Sequence, residues 1–225
     1  MIQLRNVSHR VSPDVEAVFT KLNLDVQAGE IIGISGRNGS GKTTLLRILA
    51  TLTEPTEGEF TFDGTDAVLY PELVRGRVGY VADAMFRASD LTVREHLTFL
   101  ATAAGADPQV VDGVLELTDL TQFDRRALDT LSRGESRRLL LAQVMLHDPD
   151  VLLLDDPFAD VDAVTRGDLL AMLDELATLG RTFVIAASLI EPLTPFCTRV
   201  GALEHGTLYI DPPLPAAPFA ETEVL

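Results

Sequence analysis

Residues 36–44 have the types and spacing of a phosphate-binding loop. Gly36, Gly39 and Gly41 lead into Lys42 and Thr43 in the order G-x-x-x-x-G-K-T. Glycines let the backbone curl so that successive N–H groups face one anion. A lysine in this position reaches the β- and γ-phosphates, and the hydroxyl after it can bind Mg²⁺. The predicted phosphate-binding residues are Gly36, Asn38, Gly39, Ser40, Gly41, Lys42, Thr43 and Thr44, with Thr43 also a predicted metal ligand.

The segments on either side of this loop are those that such a loop requires. Residues 31–34 are apolar and predict a buried strand, whereas residues 45–52 are amphipathic and predict a helix. The helix start adds the positive end of its dipole to the site. A glycine-rich turn without a ligand is the alternative, and the order strand, loop, helix argues against it. The sequence therefore predicts binding of a nucleoside triphosphate.

A second group of candidate residues follows another apolar run, residues 151–154. Asp155 and Asp156 come directly after it and precede Pro157. Ligands of parallel sheets lie at the carboxyl ends of the strands. Asp155 is therefore predicted to be a further residue at the metal ion, which it would hold through water. A solvated Asp-Asp turn is the alternative.

Residues 131–135 read Leu-Ser-Arg-Gly-Glu and are predicted to begin a helix. Ser132 and Glu135 have the S-x-x-E spacing of a capping box, which is a purely structural interpretation. A capped helix start is also an anion site, so the two interpretations are compatible.

Strand and helix patterns alternate along the chain, which predicts an α/β fold with a mainly parallel core sheet. The pattern is helical from residue 92 to residue 120 and interrupts this alternation. We predict one domain over residues 1–210, with a helical subdomain at about 84–135. Four prolines between residues 211 and 218 predict that residues 211–225 form a tail outside the core.

Composition limits the possible partners. The chain has 225 residues and a formal net charge of −16, which disfavours binding to nucleic acid. No apolar run approaches the ~20 residues that span a bilayer. The start of the sequence lacks a signal-peptide pattern, and the single cysteine, Cys197, is compatible with a reducing cytosol.

These motifs together resemble the ATP-binding subunit of an ABC transporter. The loop at 36–44, the segment 131–135, the strand ending at Asp155 and the segment 160–162 occur in that family's order and spacing. The resemblance covers about residues 2–210 and is greatest to the export-type branch. It implies a P-loop NTPase fold in which an antiparallel β edge and a helical insertion accompany the parallel sheet. It also implies Mg-ATP bound between two ATPase subunits that sit on a membrane permease, at the inner face of the cell membrane.

The resemblance assigns further residues to the site. Val11 falls where an aromatic residue usually stacks on adenine, and Asp83 falls where a glutamine or glutamate usually approaches the nucleotide and the metal ion. Ser132, Gly134 and Glu135 would contact the ATP held by the other subunit, with Glu135 adding negative charge near the phosphates. Lys42, Ser132 and Asp156 are the implied catalytic residues.

Two departures from the family pattern concern hydrolysis. The residue after Asp155 is normally a glutamate that orients the attacking water, and here it is Asp156, which is shorter by one methylene. Leu189 stands where a histidine normally contacts the γ-phosphate, and leucine cannot donate a hydrogen bond. We therefore expect slow turnover with ATP binding retained. Alternatively, Asp156 acts through a bridging water, or Leu189 reflects a shifted alignment.

Three functions compete at this point. The first is a transport ATPase subunit with a permease and a second ATPase subunit, identical or different. The second is an ATP-gated binding or regulatory module that has lost hydrolysis. The third, an ATPase that handles nucleic acid, is disfavoured by the acidic composition.

Overall fold

The computed structural model describes residues 1–12, 14–82, 90–159 and 161–212. Ten strands and six α-helices lie in these ranges. The strands are β1 Ile2–His9, β2 Phe19–Val26, β3 Ile31–Ser35, β4 Glu57–Phe62, β5 Thr65–Asp66, β6 Val78–Val81, β7 Val151–Asp155, β8 Thr182–Ala187, β9 Arg199–Glu204 and β10 Thr207–Ile210. The helices are α1 Lys42–Leu49, α2 Pro71–Arg75, α3 Val93–Ala103, α4 Val110–Leu117, α5 Arg133–Met145 and α6 Ala163–Thr178, with short 3₁₀ helices at Thr121–Phe123 and Leu128–Thr130.

A mainly parallel sheet forms the centre, as predicted. Its strand order is β10-β9-β3-β8-β7-β6, and only the β9–β10 pair is antiparallel. The first four residues of β3 and of β7, and all of β8, are buried. Burial on both faces explains why these strands are continuous apolar runs in the sequence rather than alternating ones.

The second sheet within the described residues is the predicted antiparallel edge. Its order is β2-β1-β4-β5, and all of its pairs are antiparallel. Its apolar face packs on α1 and on one face of the central sheet, in a cluster that includes Phe19, Phe60, Leu45 and Leu153. The two sheets therefore enclose α1, the helix that follows the phosphate-binding loop.

The helices α3, α4 and α5 pack on the other side of the central sheet. Leu97, Leu115 and Leu139 are buried in one cluster with residues of α6, β7 and β8. The start of α3 is fixed by a capping box, in which Thr92 accepts a hydrogen bond from the N–H of Glu95 and the Glu95 carboxylate accepts one from the N–H of Thr92. The helix α4 begins at Val110, two residues after Pro108.

The limits of the helical subdomain and the tail remain predictions. Residues 83–89 and 213–225 lie outside the described residues. No helix among the residues that the structure covers is both long and apolar enough to cross a bilayer.

Leu97 provides a test of the helical packing. It is fully buried, whereas Phe99 on the same helix is 63% exposed. Leu97→Ala should lower the free energy of unfolding by about 2–5 kcal/mol, because it leaves a cavity in a closed core. Phe99→Ala should change it by less than about 0.5 kcal/mol. Urea denaturation of both variants measures the difference, and equal losses would contradict the packing described.

Candidate nucleotide site

The loop between β3 and α1 forms a pocket of backbone N–H groups at a helix start. Gly41 precedes α1 with φ of 104°, and no side chain caps the helix N-terminus. The first turn of α1 carries no acidic residue. The free N–H groups and the helix dipole are therefore available to an anion.

Glycine is required at two positions of this loop by close contacts. A Cβ on Gly41 would lie 2.7 Å from Val18 Cγ1, and a Cβ on Gly36 would lie 2.6 Å from Ser40 Oγ. Gly41 also has a backbone conformation that residues with a Cβ rarely adopt. The close approach of the loop to Val18, just before β2, and to the carbonyl oxygen of Leu203 in β9, 2.7 Å from a Cβ on Gly36, therefore fixes its curvature.

Lys42 lies over the inside of the loop. Its Nζ donates to the carbonyl oxygens of Gly36, at 2.5 Å, and Arg37, at 3.2 Å. Burial lowers the pKa of Lys42, and the nearby negative charges of Asp156 and Asp155 act in the opposite direction. The ammonium group is thus held by two carbonyl groups in the same loop, close to two carboxylates.

Ser40 supplies the observation that tests whether phosphate fits. Its Oγ is buried, and no partner within the described part of the chain hydrogen-bonds it. A buried hydroxyl without a partner is unfavourable by about 1–3 kcal/mol. A phosphate oxygen in the loop would satisfy it, so the donor set suits a polyphosphate.

Asp155 lies at the end of β7, and Tyr80 of β6 holds it. The Tyr80 hydroxyl donates to Asp155 Oδ2 at 3.3 Å. Burial, with the negative charge of Asp155 as a further cause, raises the pKa of Tyr80 to about 12, so the phenol stays a neutral donor. Tyr80 was not predicted from the sequence. Its role depends on the parallel pairing of β6 with β7, in which Tyr80 is opposite Leu153, on the same face as Asp155.

Asp156 leaves the sheet with a left-handed backbone, φ of 48°. Its N–H donates to the carbonyl of Ala186 at 2.8 Å. Ser188 Oγ, just after β8, lies 3.0 Å from Asp156 Oδ2. Leu189 is 72% exposed. Ser188 is therefore a second residue of this region that sequence analysis missed.

The loop and the two aspartates line one cavity of about 430 Å³. Lys42, Thr43, Thr44, Asp155 and Asp156 line it, together with Val18, Asn38, Gly39 and Gly41. A neighbouring cavity of about 510 Å³ extends from the outer side of the loop, at Arg37 and Ser40, to the turn at His205. The structure thus brings the loop and both aspartates together around a space of suitable size.

Other predicted residues lie elsewhere. Val11 is 73% exposed and lines neither cavity. Asp83 lies outside the described residues. Ser132, Gly134 and Glu135 are at the start of α5 and line neither cavity. This chain alone does not bring them to its own phosphate-binding loop.

The start of α5 has the predicted capping box. Ser132 Oγ accepts from the N–H of Glu135 at 3.2 Å, and Glu135 Oε2 accepts from the N–H of Ser132 at 2.7 Å. Arg126 Nη1 lies 3.0 Å from the other oxygen of Glu135. The negative charge of Glu135 is therefore paired within the chain, which reduces the repulsion expected toward a bound phosphate.

Comparison with known proteins gives the family. The family model described as ABC transporter matches residues 19–159. The Nod factor export ATP-binding protein I of Burkholderia lata is 34% identical over 209 residues, covering 91% of this chain and 68% of the relative. The energy-coupling factor transporter ATP-binding protein EcfA2 of Thermotoga maritima is 31% identical over 220 residues, covering 94% of this chain and 81% of the relative.

A solved structure agrees with this result. The dimeric structure of a bacterial ABC transporter cassette superimposes with a TM-score of 0.81 at 25% identity, covering 97% of this chain and all of that one. The chain belongs to the ABC transporter family, and its relatives are ATP-binding subunits. The ATPase class predicted from the sequence is that of this family.

Gly41→Ala tests the loop geometry. The added Cβ meets Val18 and should displace the N–H groups that face the phosphates, lowering ATP affinity about tenfold or more, equivalent to at least ~1.4 kcal/mol. Gly105→Ala is the matched control, because Gly105 has φ of +74° but nothing within 4 Å of an added Cβ. It should lower stability by about 1 kcal/mol and leave binding unchanged. Calorimetric titration with Mg-ATP compares them; equal affinities would contradict the geometry.

Proposed function

We propose that this chain binds Mg-ATP at the loop described and uses its binding and hydrolysis to drive a membrane permease. The observation that carries the proposal is the convergence of Lys42, Thr43 and Asp155 on one cavity beside the unpartnered Ser40 hydroxyl. The relatives are transporter ATP-binding proteins, which supports a transport role rather than a regulatory module. No observation favours nucleic acid as a partner, and the net charge of −16 opposes it.

Thr43 and Asp155 are the residues that we propose hold Mg²⁺. A hydroxyl and a carboxylate are the oxygen ligands that this ion prefers, and the Tyr80 hydroxyl fixes one oxygen of Asp155. When bound, the ion would neutralise charge on the phosphate oxygens. Asp83 remains a proposed contributor by resemblance alone.

Other residues of the chain bind the phosphates and position the attacking water. The N–H groups at the start of α1 and the Ser40 hydroxyl bind phosphate oxygens. Lys42 would leave the carbonyl groups of Gly36 and Arg37 for the β- and γ-phosphates, because a charged acceptor is the stronger partner. Asp156 orients water, although its short side chain and the exposed Leu189 support slow turnover.

The position of α5 supports a two-subunit site. Ser132, Gly134 and Glu135 do not line the cavity at their own loop, so we propose that they complete the site of a second ATPase subunit. That subunit is another copy of this chain or a related one. The dimeric cassette that superimposes on this chain supports such pairing.

The assembly that we propose lies at the inner face of the cell membrane, on a permease. The motifs resemble the export-type branch, and one relative is named as an export ATP-binding protein, which supports export as the direction of transport. Substrate choice would then belong to the permease.

Lys42 tests ATP binding. Lys42→Ala should abolish measurable binding of Mg-ATP, because it removes the cation inside the loop. Lys21, an exposed residue of β2, is the only other lysine and provides the matched control. Lys21→Ala should bind like the wild type in calorimetric titration. Folded wild-type protein that takes up no Mg-ATP, alone or with its permease, would refute the proposed function.

Asp156 and Leu189 test the expected slow turnover. The double variant Asp156→Glu/Leu189→His should hydrolyse ATP about tenfold faster or more in single-turnover measurements, because small displacements of a positioning group are costly. Asp156→Asn should be slower than the wild type. A wild type that already turns over at several per second, with no gain in the double variant, would show that the two departures do not limit hydrolysis.

A further inference from the structure

Ser188 connects two parts of the site that are distant in the sequence. Its Oγ lies 3.0 Å from Oδ1 of Asn38, in the phosphate-binding loop, and 3.0 Å from Oδ2 of Asp156. It follows β8 directly, and β8 lies between β3 and β7 in the central sheet. The strand order therefore places Ser188 between the loop after β3 and the aspartates after β7.

The chemistry of these contacts sets a direction. A serine hydroxyl has one proton and cannot donate to two oxygens at once. The two ends of an asparagine amide are interchangeable by rotation. With the Asn38 amide turned over, its N–H donates to Ser188 Oγ, and the Ser188 hydroxyl donates to the Asp156 carboxylate. Each donor then has one acceptor, and the charged carboxylate accepts the hydrogen bond from the serine hydroxyl.

The same contacts restrict the Asp156 side chain. The Asp156 backbone is fixed by its N–H bond to Ala186, but the side chain extends into the cavity. Among side chains in the described ranges, Ser188 is the one that hydrogen-bonds Asp156. The adjacent Leu189 offers no polar group. Without Ser188, the carboxylate would keep the attraction of the nearby Lys42 charge, which is not directional, but would lose the hydrogen bond that orients it.

We propose that Ser188 is a positioning residue for hydrolysis, which orients the Asp156 carboxylate and couples its orientation to the loop through Asn38. This inference rests on the proposed function of the site. Ser188 itself is exposed, so removing its hydroxyl leaves no cavity in the core and no broken pairing in the sheet. Its effect should therefore appear in the rate of hydrolysis and not in stability.

Hydrolysis by the full chain tests this proposal. Ser188→Ala should slow single-turnover hydrolysis about tenfold, because a positioning error is costly at the chemical step. The dissociation constant for Mg-ATP should stay within about twofold, and Ser188→Thr, which keeps the hydroxyl, should restore the rate. Thr194→Ala is the matched control, since the Thr194 hydroxyl donates to the carbonyl of Ile190, one turn earlier in the same segment and away from Asp156 and Asn38 in its bonding. It should leave the rate and the affinity unchanged.

Two outcomes of this measurement would overturn the proposal. The first is a Ser188→Ala rate within twofold of the wild type. The second is a parallel loss of ATP affinity and rate, which would show that Ser188 acts on binding through Asn38. Failure of the wild type to bind Mg-ATP would instead refute the proposed function.

A measurement without nucleotide tests the hydrogen bonds from Asn38 to Ser188 and from Ser188 to Asp156, even where hydrolysis is too slow to follow. The side-chain amide resonances of Asn38, assigned by their loss in Asn38→Asp, should shift in Ser188→Ala. They should also shift in Asp156→Ala, because the carboxylate polarises the serine that the amide touches. Unmoved resonances in both variants would overturn the proposal, and Thr194→Ala should leave them in place.

Discussion

The uncapped start of α1 is the constraint on which the rest of the structure depends. No side chain caps its N–H groups, because the N-cap residue is Gly41, which has no side chain. The first turn also carries no acidic residue. The chain has a net charge of −16, so the partial positive charge at this helix start differs in sign from the protein as a whole. We propose that an anion bound by these groups also accepts a hydrogen bond from the unpartnered Ser40 hydroxyl and draws Lys42 away from the Gly36 carbonyl.

The parallel sheet positions the groups that face this helix start. Ser35, the last residue of β3, is level with Ala187 of β8, and Asp155 of β7 is level with Ala186. Parallel neighbours end at the same edge, so segments more than a hundred residues apart in sequence meet around one cavity. Tyr80 reaches the same edge from β6 and fixes Asp155 from the side.

Much of this arrangement could be predicted from the sequence. Glycine spacing identified the loop, apolar runs identified the buried strands, and the S-x-x-E spacing identified the cap on α5, because each is a local pattern. Tyr80, Ser188 and the pairing of Glu135 with Arg126 could not be found in this way. Each depends on which strands or turns are neighbours, and a single sequence does not show register. The short helix α2, five residues long, was also missed because it has too few residues for a periodic signal.

The most direct test of the central claim is a crystal structure of the chain with Mg-ATP or a slowly hydrolysed analogue. The account predicts that the phosphates lie in the loop, that Ser40 Oγ donates to one of their oxygens, and that Lys42 Nζ has moved from the Gly36 carbonyl to the nucleotide. Nucleotide bound elsewhere, or phosphates in the loop with Lys42 still on Gly36 and Ser40 still without a partner, would contradict it.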